Sequence, residues 1–139
     1  MSETRLIQGR YRLLDPIGRG GMGEVWRARD ESLGRQVAVK CLKPLGPHHD
    51  PSGARVLRER FRREARVAAA LQHRGVTVVH DFGESDGVPY LVMELLDGRD
   101  LSRLLDDNGP RPLAVPVIGE IAEQVAAALA YTHRRGVVH

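Results

Sequence analysis

Hydrophobic and polar positions alternate with a period of two through the first third of the chain, the spacing of strands whose side chains point to opposite faces. "RYRLLDPIG" (10–18), "EVWRARD" (24–30) and "RQVAVKCL" (35–42) read as three successive strands, the first two joined by a glycine-dense turn. A Pro/Gly segment, "GPHHDPSG" (46–53), reads as a loop. From about Ala54 to Gln72 the period lengthens to that of a helix. Two more strands follow, "GVTVVHDFGE" (75–84) and "VPYLVMEL" (88–95), with Asp86-Gly87 as the turn between them. Beyond Gly98 the pattern is helical again, over Leu101–Leu105 and from about Val115 to Arg135, with Gly136 as the stop. The order of elements is therefore five strands with one inserted helix, then helices, with no internal repeat.

Composition narrows the class. With 42% hydrophobic and 28% charged residues in 139, the chain fits one ordinary folded domain. A single cysteine, Cys41, excludes an internal disulfide and fits a reducing compartment. No signal-like segment opens the chain and no apolar run approaches the roughly 18 residues of a membrane span, so the expected location is the cytoplasm. The formal charge of +3 comes almost wholly from arginine, because lysine occurs only at 40 and 43. In "RVLRERFRREAR" the arginines are interleaved with acids, as on a solvated helix face, and no aromatic platform accompanies them, so no nucleic-acid partner is expected. His48, His49 and Asp50 are adjacent on a Pro/Gly loop and read as solvated; no metal site is expected there or at His73, His80 or His133.

Three features carry candidate chemistry. "GRGGMGEV" has glycines at 18, 20, 21 and 23, the residue type needed where backbone passes close to a phosphate, although a plain tight hairpin has the same composition. No helix follows at once, and no Gly-Lys-Ser/Thr is present, so neither a dinucleotide fingerprint nor a Walker loop is met. What is left is a glycine hairpin lying over phosphates. Lys40 in "VAVK" shares a strand face with Ala38 and Leu42 and has apolar neighbours on both sides, so it reads either as a phosphate-binding point charge or as a solvent-facing edge lysine. In the helix, Leu57, Phe61, Glu64, Ala68 and Leu71 fall on one stripe at about 100° per residue. A carboxylate in the middle of an apolar stripe requires a cation opposite, and Lys40 is the candidate. If the helix is rotated, Glu64 instead faces solvent.

Taken in order, these motifs resemble the protein kinase family. Gly18, Gly20, Gly23 and Val25 match its GxGxxGxV loop, Val37 to Lys40 its VAIK strand, and Glu64 the helix-C glutamate that pairs with that lysine. "LVMELLDGRDL" resembles the segment joining the two lobes, and the wording "GRGGMGEVWRARD" resembles bacterial serine/threonine kinases of the eukaryotic type. The resemblance runs from about Tyr11 to His139. It implies an α+β fold: a kinase-like N-lobe, of a five-stranded antiparallel sheet plus helix C, followed by the first helices of an incomplete C-lobe. The implied division is an N-terminal tail at 1–10, N-lobe and hinge at 11–96, and the start of the C-lobe at 97–139.

The resemblance also implies the site. Val25 and Ala38 form an apolar ceiling over adenine, Met93 is the gatekeeper, Glu94 and Leu96 offer backbone hydrogen bonds, Asp100 lies near the ribose, and Lys40, oriented by Glu64, holds the phosphates of ATP. Arg74 departs from the proline that commonly follows the histidine and questions the shape of that turn. His139 matches the first residue of His-Arg-Asp, so the catalytic aspartate, the loop asparagine and the Asp-Phe-Gly site for Mg²⁺ have no counterpart in this sequence. The expectation is the ATP-binding portion of a serine/threonine kinase acting on protein substrates, inactive as this chain alone. The alternative is a short, non-catalytic protein that binds nucleotide or a kinase partner. Ile118, Ile121, Val125, Ala128 and Thr132 form an apolar stripe on the last helix, which predicts a partner or aggregation if left bare.

Overall fold

The computed structural model describes residues 5–19, 23–42 and 51–138, so Gly20, the histidine loop at 46–50 and His139 lie outside the described residues. Two compact units are formed, one by residues 1–71 with 78–95 and the other by 72–77 with 96–139. The first is built on an antiparallel sheet of six strands in the order β1-β2-β3-β4-β6-β5. The strands are β1 (Leu6–Ile7), β2 (Tyr11–Arg19), β3 (Gly23–Asp30), β4 (Arg35–Leu42), β5 (Val79–Ser85) and β6 (Val88–Glu94). Helix α1 (Pro51–Ala70) packs against β5 and β6.

The sixth strand corrects the reading of residues 1–10 as a tail. Leu6 pairs with Arg12 and Ile7 with Tyr11, and Ile7 is buried. Gln8 and Gly9 both take positive φ (52° and 63°), and the Arg10 amide returns to the Ile7 carbonyl at 3.0 Å, a tight turn inside the connection of residues 8–10 between the paired Ile7 and Tyr11. A two-residue strand is too short to show alternation, which is why the pattern did not reveal it. The hairpin expected at Asp86-Gly87 forms, again with both residues at positive φ (51° and 77°).

One face of the sheet holds the hydrophobic core: Ile7, Tyr11, Leu13, Ala28, Val37, Val39, Cys41, Tyr90 and Val92, with Trp26 and Val88 packed against it. Polar groups fix its rim. Asp30 ends β3 at 1% exposure, accepts from Arg10 Nε and Nη2 at 3.0 and 2.9 Å, and accepts the amides of Ser32 and Leu33 at 3.0 and 3.2 Å. One carboxylate thus closes the β3–β4 turn and ties it to β2. The Arg10 guanidinium, followed by the turn amides, holds the Asp30 carboxyl at about 2, below the usual carboxylate range. Tyr11 donates its hydroxyl to Asp81 Oδ2 at 2.8 Å across to β5, and burial followed by this bond pushes the phenol well up. Gly23 starts β3 so close to β4 that a Cβ there would lie 2.2 Å from the Cys41 carbonyl oxygen, whereas a Cβ at Gly18 would meet nothing within 4 Å.

The second unit contains α2 (Leu101–Asp107) and α3 (Val115–Arg134). Gly136 (φ 80°) closes α3: its amide donates to His133 O at 3.0 Å and the Val137 amide to Thr132 O at 2.9 Å, the paired bonds of a left-handed helix stop. Tyr131 packs on the His73 ring, with centroids 5.0 Å apart, and its hydroxyl accepts the Gln72 amide at 2.8 Å. The turn carrying Arg74 closes without proline, because His73 accepts the Gly75 amide at Nδ1 (2.9 Å) and the Val76 amide at its carbonyl (2.9 Å). No described residue of α3 is buried, and Ile118 and Val125 of the apolar stripe are about half exposed.

Two stability tests follow from this packing. Asp30→Asn is expected to cost about 2 kcal/mol at neutral pH, by weakening charge-assisted hydrogen bonds at a buried position. The depressed carboxyl contributes its stability in full above pH ~4, the unfolded value, and loses it as the pH falls through about 2. Thermal denaturation of both forms between pH 2 and 5 should therefore show the difference shrinking toward the acid end. In the glycine segment, Gly23→Ala should lower stability by about 2 kcal/mol through the clash with the Cys41 carbonyl, while Gly18→Ala should stay within about 0.5 kcal/mol. Equal melting temperatures for the two alanine variants would contradict the close strand approach at Gly23.

Candidate functional site

The face of the sheet opposite the core carries most of the expected site. In register, Val25 stands opposite Lys40 and Lys40 opposite Leu91; one rung along, Arg27 stands opposite Ala38 and Ala38 opposite Met93. Directly paired residues point the same way, with Cβ atoms about 5 Å apart. Val25, Ala38, Lys40 and Met93 therefore form one contiguous patch drawn from β3, β4 and β6. Ala38 is buried and the other three are half-buried. Among the described residues no carboxylate lies within ion-pair distance of the Lys40 ammonium. Gly18 pairs with Val25, which brings the end of β2 alongside the patch after two irregularities in the β2–β3 ladder. Gly23 is buried at the start of β3, and its missing side chain serves strand packing there.

Glu64 is not where the stripe reading put it. α1 faces the sheet through Phe61 and Ala65, 6% and 2% exposed, with Leu57, Arg58 and Ala68 half-buried. The Glu64 side chain is 58% exposed and pairs with Arg60 at 3.7 Å, not with Lys40. The reason is physical: Ala65 lies one residue further round the helix and enters the interface without desolvating a charge, whereas a buried Glu64 would have to be neutralised. Arg58 and Arg62 hold α1 in this seating, both reaching Glu84 of β5, at 3.4 and 2.6 Å.

The connecting segment is anchored locally. Glu94 is held twice by Val78: its amide donates to the Val78 carbonyl at 3.0 Å and its carboxylate accepts the Val78 amide at 2.8 Å. Leu96 is exposed and opens the second unit. Asp100 caps α2, Oδ1 accepting the Arg103 amide at 2.8 Å, which leaves Oδ2 as its free acceptor. Two members of the patch escaped the sequence reading. Leu91 lies directly opposite Lys40, and Arg27, paired with Asp15 of β2, borders Ala38. Strand alternation would have placed Arg27 beside Val25, but only the ladder shows which residues of β6 face β4.

With this geometry in hand, comparison with known proteins is specific. The protein kinase domain model matches residues 11–139. The chain is 41% identical over 139 residues to the serine/threonine-protein kinase pkn2 of Myxococcus xanthus, covering 99% of this chain and 16% of that protein. It is 44% identical over 138 residues to the serine/threonine-protein kinase PknA of Mycobacterium tuberculosis, covering 96% of this chain and 30% of that protein. The crystal structure of the M. tuberculosis PknI kinase domain superposes with a TM-score of 0.79 at 34% identity, covering all of this chain and 54% of that one. The chain thus spans less than a third of the curated relatives and about half of a solved kinase domain. A six-stranded sheet with α1 and two further helices, and a lysine beside an alanine on its non-core face, agree with the match over residues 11–139: this chain belongs to the protein kinase family and resembles its bacterial serine/threonine members.

Proposed function

We propose that this chain binds ATP through the patch on β3, β4 and β6, and that it is the nucleotide-binding portion of an enzyme that phosphorylates serine or threonine in proteins. The observation that carries the reading is the rung geometry. Val25, Ala38 and Met93 offer a small, apolar surface suited to a flat base, and the half-buried Lys40 ammonium beside them has no carboxylate partner among the described residues. A lysine so placed is a point charge available to phosphate oxygens. Because the Glu94 amide is bound to Val78, the hydrogen bond assigned to Glu94 falls to its carbonyl. The likeness to the family's GxGxxGxV motif assigns the phosphate-covering role to the segment whose glycines are 18, 20 and 23.

ATP supplies the transferable γ-phosphoryl group, and Mg²⁺ accompanies it in the family. The residues of this chain bind and orient the nucleotide. The family's transfer groups, which position the acceptor hydroxyl and hold the metal, correspond to no residue in 1–139.

Lys40→Met should weaken ATP and ADP binding about tenfold, or roughly 1.4 kcal/mol, while leaving adenosine within about twofold, as read by calorimetric titration. Equal ATP affinity in both forms would displace the phosphate site from Lys40. The 139-residue polypeptide should also transfer no phosphate to a general protein substrate above background. Turnover that survives purification and disappears with Lys40→Met would overturn the reading that no residue of 1–139 serves as a transfer group.

A further inference from the structure

The non-core face of the sheet runs in rungs across four strands. Gly18, Val25, Lys40 and Leu91 lie on one rung, and Asp15, Arg27, Ala38 and Met93 on the next. The second rung changes character along its length. Met93 and Ala38 are apolar, whereas Arg27 and Asp15 form an ion pair between β3 and β2, with Nη2 donating to Oδ1 and side chains 35% and 49% exposed. A strand irregularity creates this pair. Leu14 is left out of the β2–β3 ladder between Leu13 and Asp15, so that the carboxylate and not a leucine stands opposite Arg27. Among the described residues Asp15 is the one carboxylate paired with Arg27, because Glu31, further along the same strands, is taken by Arg12 and Arg29.

Ala38 is 5% exposed, so the room for a flat base against it depends on where the long side chain opposite points. β3 separates β2 from β4, and Asp15 therefore lies on the side of Arg27 away from Ala38. The ion pair draws the guanidinium outward. Lys40 is the diagonal neighbour of Arg27 on this face, at a spacing of about 7–8 Å that long side chains span. Released from Asp15, the same guanidinium reaches across Ala38 toward an anion held at Lys40.

We propose that Asp15 is a positioning residue of this face: by holding Arg27 on the β2 side it keeps the Ala38 surface for a base and leaves phosphate to Lys40. Loss of the pair turns Arg27 into an additional phosphate contact at the expense of the base. The Asp15–Arg27 pair thus sets the ratio of the affinities for nucleotide and nucleoside, and the skipped Leu14 is what aims it. Guanidinium suits both states, since its planar fork binds a carboxylate or a phosphate equally well. The role of Asp15 rests on the ATP-site reading above.

Calorimetric titration of the 139-residue chain with ATP and with adenosine reads that ratio. Any loss of folded protein scales both affinities alike and cancels from it, and asparagine is isosteric with the half-exposed Asp15. Asp15→Asn should raise the ratio of ATP to adenosine affinity about fivefold, and Asp15→Glu, which keeps the charge, should hold it within about twofold. In an Arg27→Ala background, Asp15→Asn should leave the ratio where that background sets it. A ratio unmoved by Asp15→Asn, or moved equally with and without Arg27, overturns the proposal. Lys40→Met separates the two levels. If it weakens ATP while Asp15→Asn leaves the ratio unaltered, the phosphate site stands and the role of Asp15 fails; if it leaves ATP affinity unchanged, the ATP-site reading fails and the role of Asp15 with it.

Discussion

The rest of the first unit depends on β4 being buried from both sides. Val37, Ala38 and Val39 are consecutive and all buried, so this strand cannot slip by one residue without exchanging the core face for the site face. Its ladders to β3 and β6 carry that constraint outward, because each residue of β4 fixes its opposite number on both neighbours. The half-buried lysine follows from the same register. With Val37, Val39 and Cys41 committed to the core, Ala38 and Lys40 must share the other face, and Val25 and Met93 are placed beside them. Core packing and site construction are thus one requirement read on two faces.

Around that strand, charged groups do work that apolar packing leaves undone. Asp30 satisfies two turn amides and a guanidinium at once, a use for a buried carboxylate that avoids an unpaired charge. Asp81 accepts the buried hydroxyl of Tyr11. Glu84 plays a comparable part at the other edge, where its partners come from a helix and not from a turn.

The placement of Glu64 shows where pattern reading met its limit. Periodicity finds the buried face, but Glu64 and Ala65 lie about 60° and 40° to either side of Phe61, so the pattern leaves open which flank turns inward. Which of them turns inward was settled by partners that lie 20 residues or more away along the chain, Glu84 among them. The short first strand was missed for a different reason, since two residues cannot display a period, although its Gln8-Gly9 turn has the positive φ angles of a standard hairpin.

From the sequence alone came the strand and helix order, the glycine segment, the face shared by Ala38 and Lys40, the helix stop at Gly136 and the family. All of these rest on local periodicity, on residue types with restricted backbone behaviour, or on motifs written contiguously. Tertiary structure alone decided that Leu6–Ile7 joins the sheet, that Leu91 of β6 stands opposite Lys40, that Gly23 is small for a neighbouring strand, and that Glu64 pairs with Arg60 and not with Lys40. Each of those depends on pairing between distant segments. Such pairing is governed by the balance of desolvation and charge at the place where two elements meet, and that balance is written in neither element by itself.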